Sequence, residues 1–198
     1  MTKKKERPLS VAKIVERYMY EHPILMSQAS EGILNTSSLA RKIKIEEKIS
    51  KTDEAVMISL YRFLEKMQKV LPPSKKANEI LKNTAVNIHS DYAVLVADIK
   101  QDVKAKNIIS YSDKQVCIGE MNNLQKYRKN SLFYRENLAL IELRHKENIE
   151  DVPGVLFHLL ARFYEQSITI MEIFSAWDAT YILIEKKDVQ KIMRMFFE

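Results

Sequence analysis

Glycine is scarce in this chain, with three in 198 residues, at positions 32, 119 and 154. A Gly-rich cradle for phosphates needs several such positions close together, so a nucleotide-binding loop of that kind is excluded. A nucleophile elbow is missing too, and the adjacent Glu150 and Asp151 would not face one another across a substrate. Cysteine occurs once, as Cys117, which rules out an intramolecular disulfide and fits a reducing, cytoplasmic setting. The four histidines, His22, His89, His145 and His158, are scattered and none pairs with another at metal-ligand spacing. No apolar run reaches the roughly 18 residues a membrane helix requires, so no membrane partner is expected. These absences together point away from an enzyme and from any cofactor or metal.

Charge is unevenly distributed. Residues 1–82 hold 17 Lys+Arg against 10 Asp+Glu, or +7, and residues 83–198 hold 15 against 16, or −1, which sums to the formal +6. A basic segment joined to a neutral one suggests two jobs. The start, Met1 to Arg7, is basic without the apolar stretch of a secretion signal, and residues 1–8 read as a solvated tail.

From Leu9 to about residue 70 the pattern is helical. Ser10 precedes a first helix with Val11, Ile14, Val15, Tyr18 and Met19 on one face, Pro23 restarts the chain, and Gly32 stops a short second helix. Asn35-Thr-Ser-Ser opens a third helix, and Thr52-Asp-Glu opens a longer fourth, with Val56, Leu60, Phe63, Leu64 and Met67 as its apolar face. Ser59, Arg62, Lys66 and Lys69 lie opposite that face at helical spacing, a basic stripe of the kind that contacts phosphates. Short helices of this kind are expected to form a helix-turn-helix-like domain over 9–70, for which DNA binding, protein docking and a plain structural role all remain open. Leu71-Pro-Pro-Ser-Lys-Lys76 reads as the start of a linker over 71–82, because paired prolines cannot continue a helix.

The second part carries an internal repeat. Residues 90–127 and 155–192, compared without gaps at a shift of 65, share eight identities, among them Leu95/Leu160, Ser110/Ser175, Asp113/Asp178 and Glu120/Glu185. The repeat gives a first unit over 83–130 with strand 83–88, helix 90–101, strands 103–111 and 115–120, and helix 122–129. The second unit, over 131–198, has strand 137–146, helix 153–166, strands 168–176 and 179–186, and helix 188–197. Each is expected to be a ferredoxin-like βαββαβ unit, so the fold class is α+β, an N-terminal helical domain followed by tandem ferredoxin-like units. The second unit runs out before its last strand. Either it lacks that edge, or Ser131 to Arg135 or a neighbouring chain completes it, and an open edge favours a homodimer.

Leu138-Ala-Leu-Ile-Glu-Leu143, Asp151-Val-Pro-Gly-Val-Leu156, Ile168-Thr-Ile170 and the Ser175 to Glu185 hairpin follow one another in an order that resembles the ACT domain, in its aspartokinase-like variety. The helical region with Gly32-Ile-Leu-Asn-Thr-Ser-Ser-Leu-Ala-Arg41 is similar to the segment preceding paired ACT domains in uncharacterised archaeal proteins. The resemblance implies a regulatory protein that binds a small molecule, an amino acid by family habit, and relays it to the helical module, with transcriptional regulation as one outcome. It equally implies the alternative of a non-catalytic structural or dimerisation subunit of an amino-acid-metabolic enzyme. In the first reading Asp151, Val152, Pro153 and Gly154 line a ligand loop that faces Ser167, Ile168 and Thr169 of a partner unit. The family commonly has glycine where this chain has Ser167, and Ile88-His89 stands where the repeat would need Pro-Gly, so no site is expected in the first unit. The sensing reading as a whole requires Pro153 to open a helix over a sheet, and residues 90–101 to be helical rather than extended.

Overall fold

Ser10 accepts a hydrogen bond from the Lys13 amide at 3.4 Å, Asn35 from Ser38 at 3.0 Å and Thr52 from Ala55 at 3.3 Å. These side chains satisfy amides that have no partner inside their own helices, and they fix three starts. The helices are α1 (Val11–Glu21), α2 (Pro23–Ser30), α3 (Thr36–Glu46) and α4 (Asp53–Gln68). Gly32 (φ +74) turns the chain out of α2, and Lys48 (φ +50) out of α3. Val15, Tyr18, Met19, Ala40, Ile43, Val56 and Leu60 form their shared core. The computed structural model describes residues 9–30, 32–69 and 74–197, and the chain divides into two units, Met1–Pro72 and Pro73–Glu198. The basic tail and part of the expected linker, 71–73, lie outside the described residues.

Residues 74–82 are not linker. They form α5 (Ser74–Lys82), whose Ala77, Ile80 and Leu81 are buried in the core of the second unit. Prolines halt a helix that would run into them but tolerate one that starts after them, which is why the same Pro-Pro pair misleads.

The second unit is built on a six-stranded antiparallel sheet in the order β2-β3-β1-β4-β6-β5. Its strands are β1 (Ala85–Asp98), β2 (Asn107–Tyr111), β3 (Lys114–Glu120), β4 (Phe133–Arg144), β5 (Ile170–Ala176) and β6 (Ala179–Glu185). Three further helices are α6 (Met121–Leu124), α7 (Val155–Glu165) and α8 (Val189–Phe197), with 3-10 turns at Gln125–Asn130 and Lys186–Asp188. One core packs α5, α7 and α8 on β4 and β6 through Leu81, Ile141, Leu143, Leu159, Phe163, Ile182 and Ile192. Among the described residues no helix is long and apolar enough to cross a membrane.

The expected helix over 90–101 does not exist. Tyr92 to Asp98 continue β1 and pair with Lys114 to Glu120 of β3. The run Tyr92-Ala-Val-Leu-Val-Ala97 is buried on both faces: Ala93, Leu95 and Ala97 pack with Cys117 and Leu124, and Tyr92 and Val94 with Ile118, Leu138 and Leu183. A short, Val-rich run buried on both sides is a central strand. The ungapped repeat had forced a helix on it. Positive-φ residues Asp91 (φ +63) and Asn137 (φ +61) precede the equivalent segments Tyr92–Asp98 and Leu138–Arg144, 137 − 91 = 46 positions apart. The hairpin turns at Ser112 (φ +51) and Trp177 (φ +57) are 177 − 112 = 65 apart. The second copy therefore has 65 − 46 = 19 additional residues between strand and hairpin, and they contain α7.

The missing last strand is also found, and not where it was expected. Ala85 to His89 of β1 pair with Leu140 to Arg144 of β4 and complete the second copy. Phe133 to Arg135 of β4 pair with Val94 to Val96 and complete the first. Each long strand thus serves as first strand of one copy and last strand of the other, with a register shift near Asp91 where its role changes.

Candidate functional site

The chain leaving β4 does not wander before it enters α7. The His145 amide donates to Asp178 O at 2.7 Å and the Ile149 amide to Trp177 O at 3.0 Å, which ties the loop to the β5–β6 hairpin. Glu150 takes the Trp177 amide on its carboxylate at 2.9 Å. Asn148 stitches the turn itself: its Oδ1 accepts from the Glu150 amide at 2.9 Å and its Nδ2 donates to Asp151 Oδ2 at 2.8 Å. Ile149, Val152 and Val155 anchor the loop in the core, while Asp151 and Pro153 face outward.

Gly154 stands at the N-cap of α7 in the left-handed conformation (φ +92, ψ −10), and no side chain caps the helix. α7 therefore starts at Val155, two residues later than the sequence implies, and Pro153 lies outside it. Among the described residues no N-cap side chain takes the outward amides of the first turn, where the positive end of the helix dipole lies. A Cβ at Gly154 would meet only His158, at 3.8 Å, so the place is open and its constraint is the backbone angle. Asp151 does not cap the helix; its Oδ2 accepts from Asn148 Nδ2.

Ser167, Ile168 and Thr169 lie at the other end of α7. Ser167 is left-handed (φ +51), its amide bonds Tyr164 O at 2.9 Å, and the Ile168 amide bonds Phe163 O at 2.9 Å. That is a Schellman cap with serine in the place glycine usually takes. Ile168 is buried, whereas Ser167 and Thr169 are exposed. Eleven helical residues separate the two groups, about 16 Å at 1.5 Å per residue. One chain does not bring Asp151–Gly154 and Ser167–Thr169 together; they can meet only across two copies.

Beneath the loop is a buried polar chain that the sequence did not reveal. His145, only 5% exposed, holds Thr84 Oγ1 at 2.9 Å through Nδ1 and Thr180 Oγ1 at 3.0 Å through Nε2. Thr84 Oγ1 donates to Ile80 O at 2.9 Å, and Ser175 Oγ lies 3.3 Å from Thr180 Oγ1. Burial lowers the His145 pKa below its usual value, and Asp178 opposes that shift. An open recess of about 490 Å³ lies between α5 and the next loop residues, lined by Lys75, Lys76, Glu79, Lys146 and Glu147 among others. None of Asp151 to Gly154 lines it.

The first unit's candidate stripe is less free than its spacing implies. Ser59 Oγ donates to Ala55 O at 2.8 Å, Lys66 lies 3.8 Å from Glu16 and Lys69 lies 3.7 Å from Glu65. Arg62 is exposed. Among the described residues no group of three or more His, Cys, Asp or Glu could hold a metal ion.

No protein-family model matches this chain, and no curated protein matches it by sequence. Solved structures do resemble it. A protein of unknown function from Vibrio cholerae, described as a possible transport protein, is 11% identical, with 63% of this chain and 96% of that one covered and a TM-score of 0.50. Aspartate kinase from Clostridium acetobutylicum is 13% identical over 57% of this chain at a TM-score of 0.46, and this chain spans 34% of its length. The ligand-free regulatory subunit of aspartate kinase from Thermus thermophilus is 14% identical, with 57% and 97% covered and a TM-score of 0.45. The Vibrio likeness shows a shared fold and nothing of chemistry, and the two kinase likenesses, both below 0.5, decide nothing further.

Proposed function

We propose that the chain is a regulatory protein whose second unit binds a small molecule carrying a carboxylate and an ammonium group, an amino acid, at one loop per chain. The observation that supports this most is Gly154: left-handed, open, and set at the uncapped start of α7. A carboxylate there would accept the free first-turn amides, and Asp151 beside it would take the ammonium group. Ser167 and Thr169 of a second copy would close the ligand from the other side. The strand over Tyr92–Asp98 removes the helix on which the sequence had rested the sensing reading, so the Gly154 loop alone supports the proposal. The expected number of ligands stays at one per chain.

A thermal-shift panel of the twenty amino acids on the full-length protein tests this. A ligand at about 100 times its Kd should stabilise the fold by about 2.7 kcal/mol. Gly154→Ala should abolish the shift while the protein still folds, since a left-handed alanine costs about 1–2 kcal/mol. No shift with any amino acid would remove the sensing claim.

The second reading, a structural subunit that only dimerises or docks, is favoured by the outer face of α7. Leu156, Leu160 and Tyr164 recur every fourth residue and are 39%, 40% and 71% exposed. DNA contact by α4 would require Lys66 and Lys69 to leave their glutamates. Retention on duplex DNA that weakens steeply with salt would support it, and a flat salt response would count against it.

A further inference from the structure

The Thr84–His145–Thr180 chain joins three parts of the second unit: the connection between α5 and β1, the first residue of the loop that leads to Gly154, and β6. Its protons can be assigned. Thr84 has a single hydroxyl proton, which goes to Ile80 O, so His145 Nδ1 must carry the hydrogen it shares with Thr84. Nε2 is then bare and accepts from the Thr180 hydroxyl. Every polar group in the chain is satisfied by a neutral imidazole.

An imidazolium is not so well housed. A proton on Nε2 would reverse the 3.0 Å bond to Thr180 and turn the Thr180 proton toward Ser175 at 3.3 Å, leaving a positive charge 5% exposed with two threonine hydroxyls as its hydrogen-bond partners. The charged groups around the ring offer little. Asp178, on the hairpin, is the one charge that acts on it, and it is shared with Arg144 at 3.9 Å. Lys146 and Glu147 follow in the loop, and Glu147 is paired with Lys76 of α5 at 3.6 Å. Glu79, also of α5, lines the open recess with them.

We infer that His145 is an acid-sensitive latch: neutral, it pins the start of the 145–154 loop to α5 and to the β5–β6 hairpin, and protonated, it releases that loop. Its first consequence is local, because the Ile149–Trp177 and Glu150–Trp177 bonds lie just downstream. Weakened ligand binding in acid would follow, and that consequence alone rests on the amino-acid reading. The direction is set by burial. A histidine with a folded pKa below 6.5 leaves stability constant above about 6.5 and diminishes it as pH falls from there through the folded value.

Amide hydrogen exchange of the ligand-free, full-length protein between pH 7.5 and 5 tests the latch, with intrinsic rates divided out. The Ile149 amide should lose about tenfold or more of its protection relative to the Ile182 amide of the core. In His145→Gln the Ile149 amide should be poorly protected at both pH values. Ile149 protection that tracks Ile182 in the wild type, or a pH-dependent loss that persists in His145→Gln, would overturn the proposal. Should that variant fail to fold, nitrogen NMR of the wild-type ring decides: a hydrogen on Nδ1 and a midpoint below 6.5 are expected, and a midpoint at or above 6.5 refutes it. Because no ligand is present, failure of the amino-acid reading leaves this result intact. Failure here equally leaves amino-acid binding at pH 7.5 untouched.

Discussion

Ser167 holds a left-handed turn that glycine would adopt without cost. Replacing it with glycine should raise stability by about 1 kcal/mol, read from urea midpoints, because a Cβ in that conformation is strained. Tyr18 makes the opposite case in the first unit. Its hydroxyl donates to Glu46 at 2.6 Å, and burial together with that carboxylate pushes its pKa up to about 12. An absorbance titration should therefore find tyrosine ionisation incomplete well above pH 10, with Tyr18 among the residues that resist it. Stability should fall between about pH 10 and 12, where the unfolded chain loses the proton and the folded one retains it. Residue-scale features split cleanly by what the sequence could disclose. The caps Ser10, Asn35 and Thr52 bond amides three residues away, so spacing alone revealed them. His145 finds its partners 61 and 35 positions distant, and no local pattern marks it.

At the scale of elements, β1 and α7 show how much the apolar pattern conveys. α7 was legible, from its Pro-Gly entry to its apolar stripe, though it begins two residues late because Gly154 serves as its cap. β1 was misread because an ungapped alignment overrode a run that is apolar on both faces. The α5 segment was lost to its prolines, although Ala77, Ile80 and Leu81 have helical spacing. Leu95 and Leu160, identical in the repeat, now sit in different environments: the first is fully buried in a strand and the second is 40% exposed on a helix. Leu95→Ala should cost about 2–5 kcal/mol in the denaturation midpoint. Leu160→Ser should change monomer stability by less than about 0.5 kcal/mol, as for an ordinary surface position. If α7 is an interface, the same substitution should reduce self-association in sedimentation velocity.

The whole second unit is one sheet made of two incomplete copies, each closed by a strand from the other. Composition and repeat disclosed the α+β class and the two copies. The exchange stayed hidden because strand pairing between residues 85–89 and 140–144 is non-local. It has a direct consequence for truncation. A fragment of residues 132–198, which holds the whole resembling segment, lacks Ala85–His89 and should show no cooperative melting by circular dichroism. A fragment of residues 74–198 retains both long strands and α5 and should melt in one transition. The regulatory reading now depends on a single loop. Isothermal titration of the full-length protein with the amino acid that shifts its melting most should give one ligand per chain, and none for Gly154→Ala. Two ligands per chain, or no heat from any of the twenty, would contradict it.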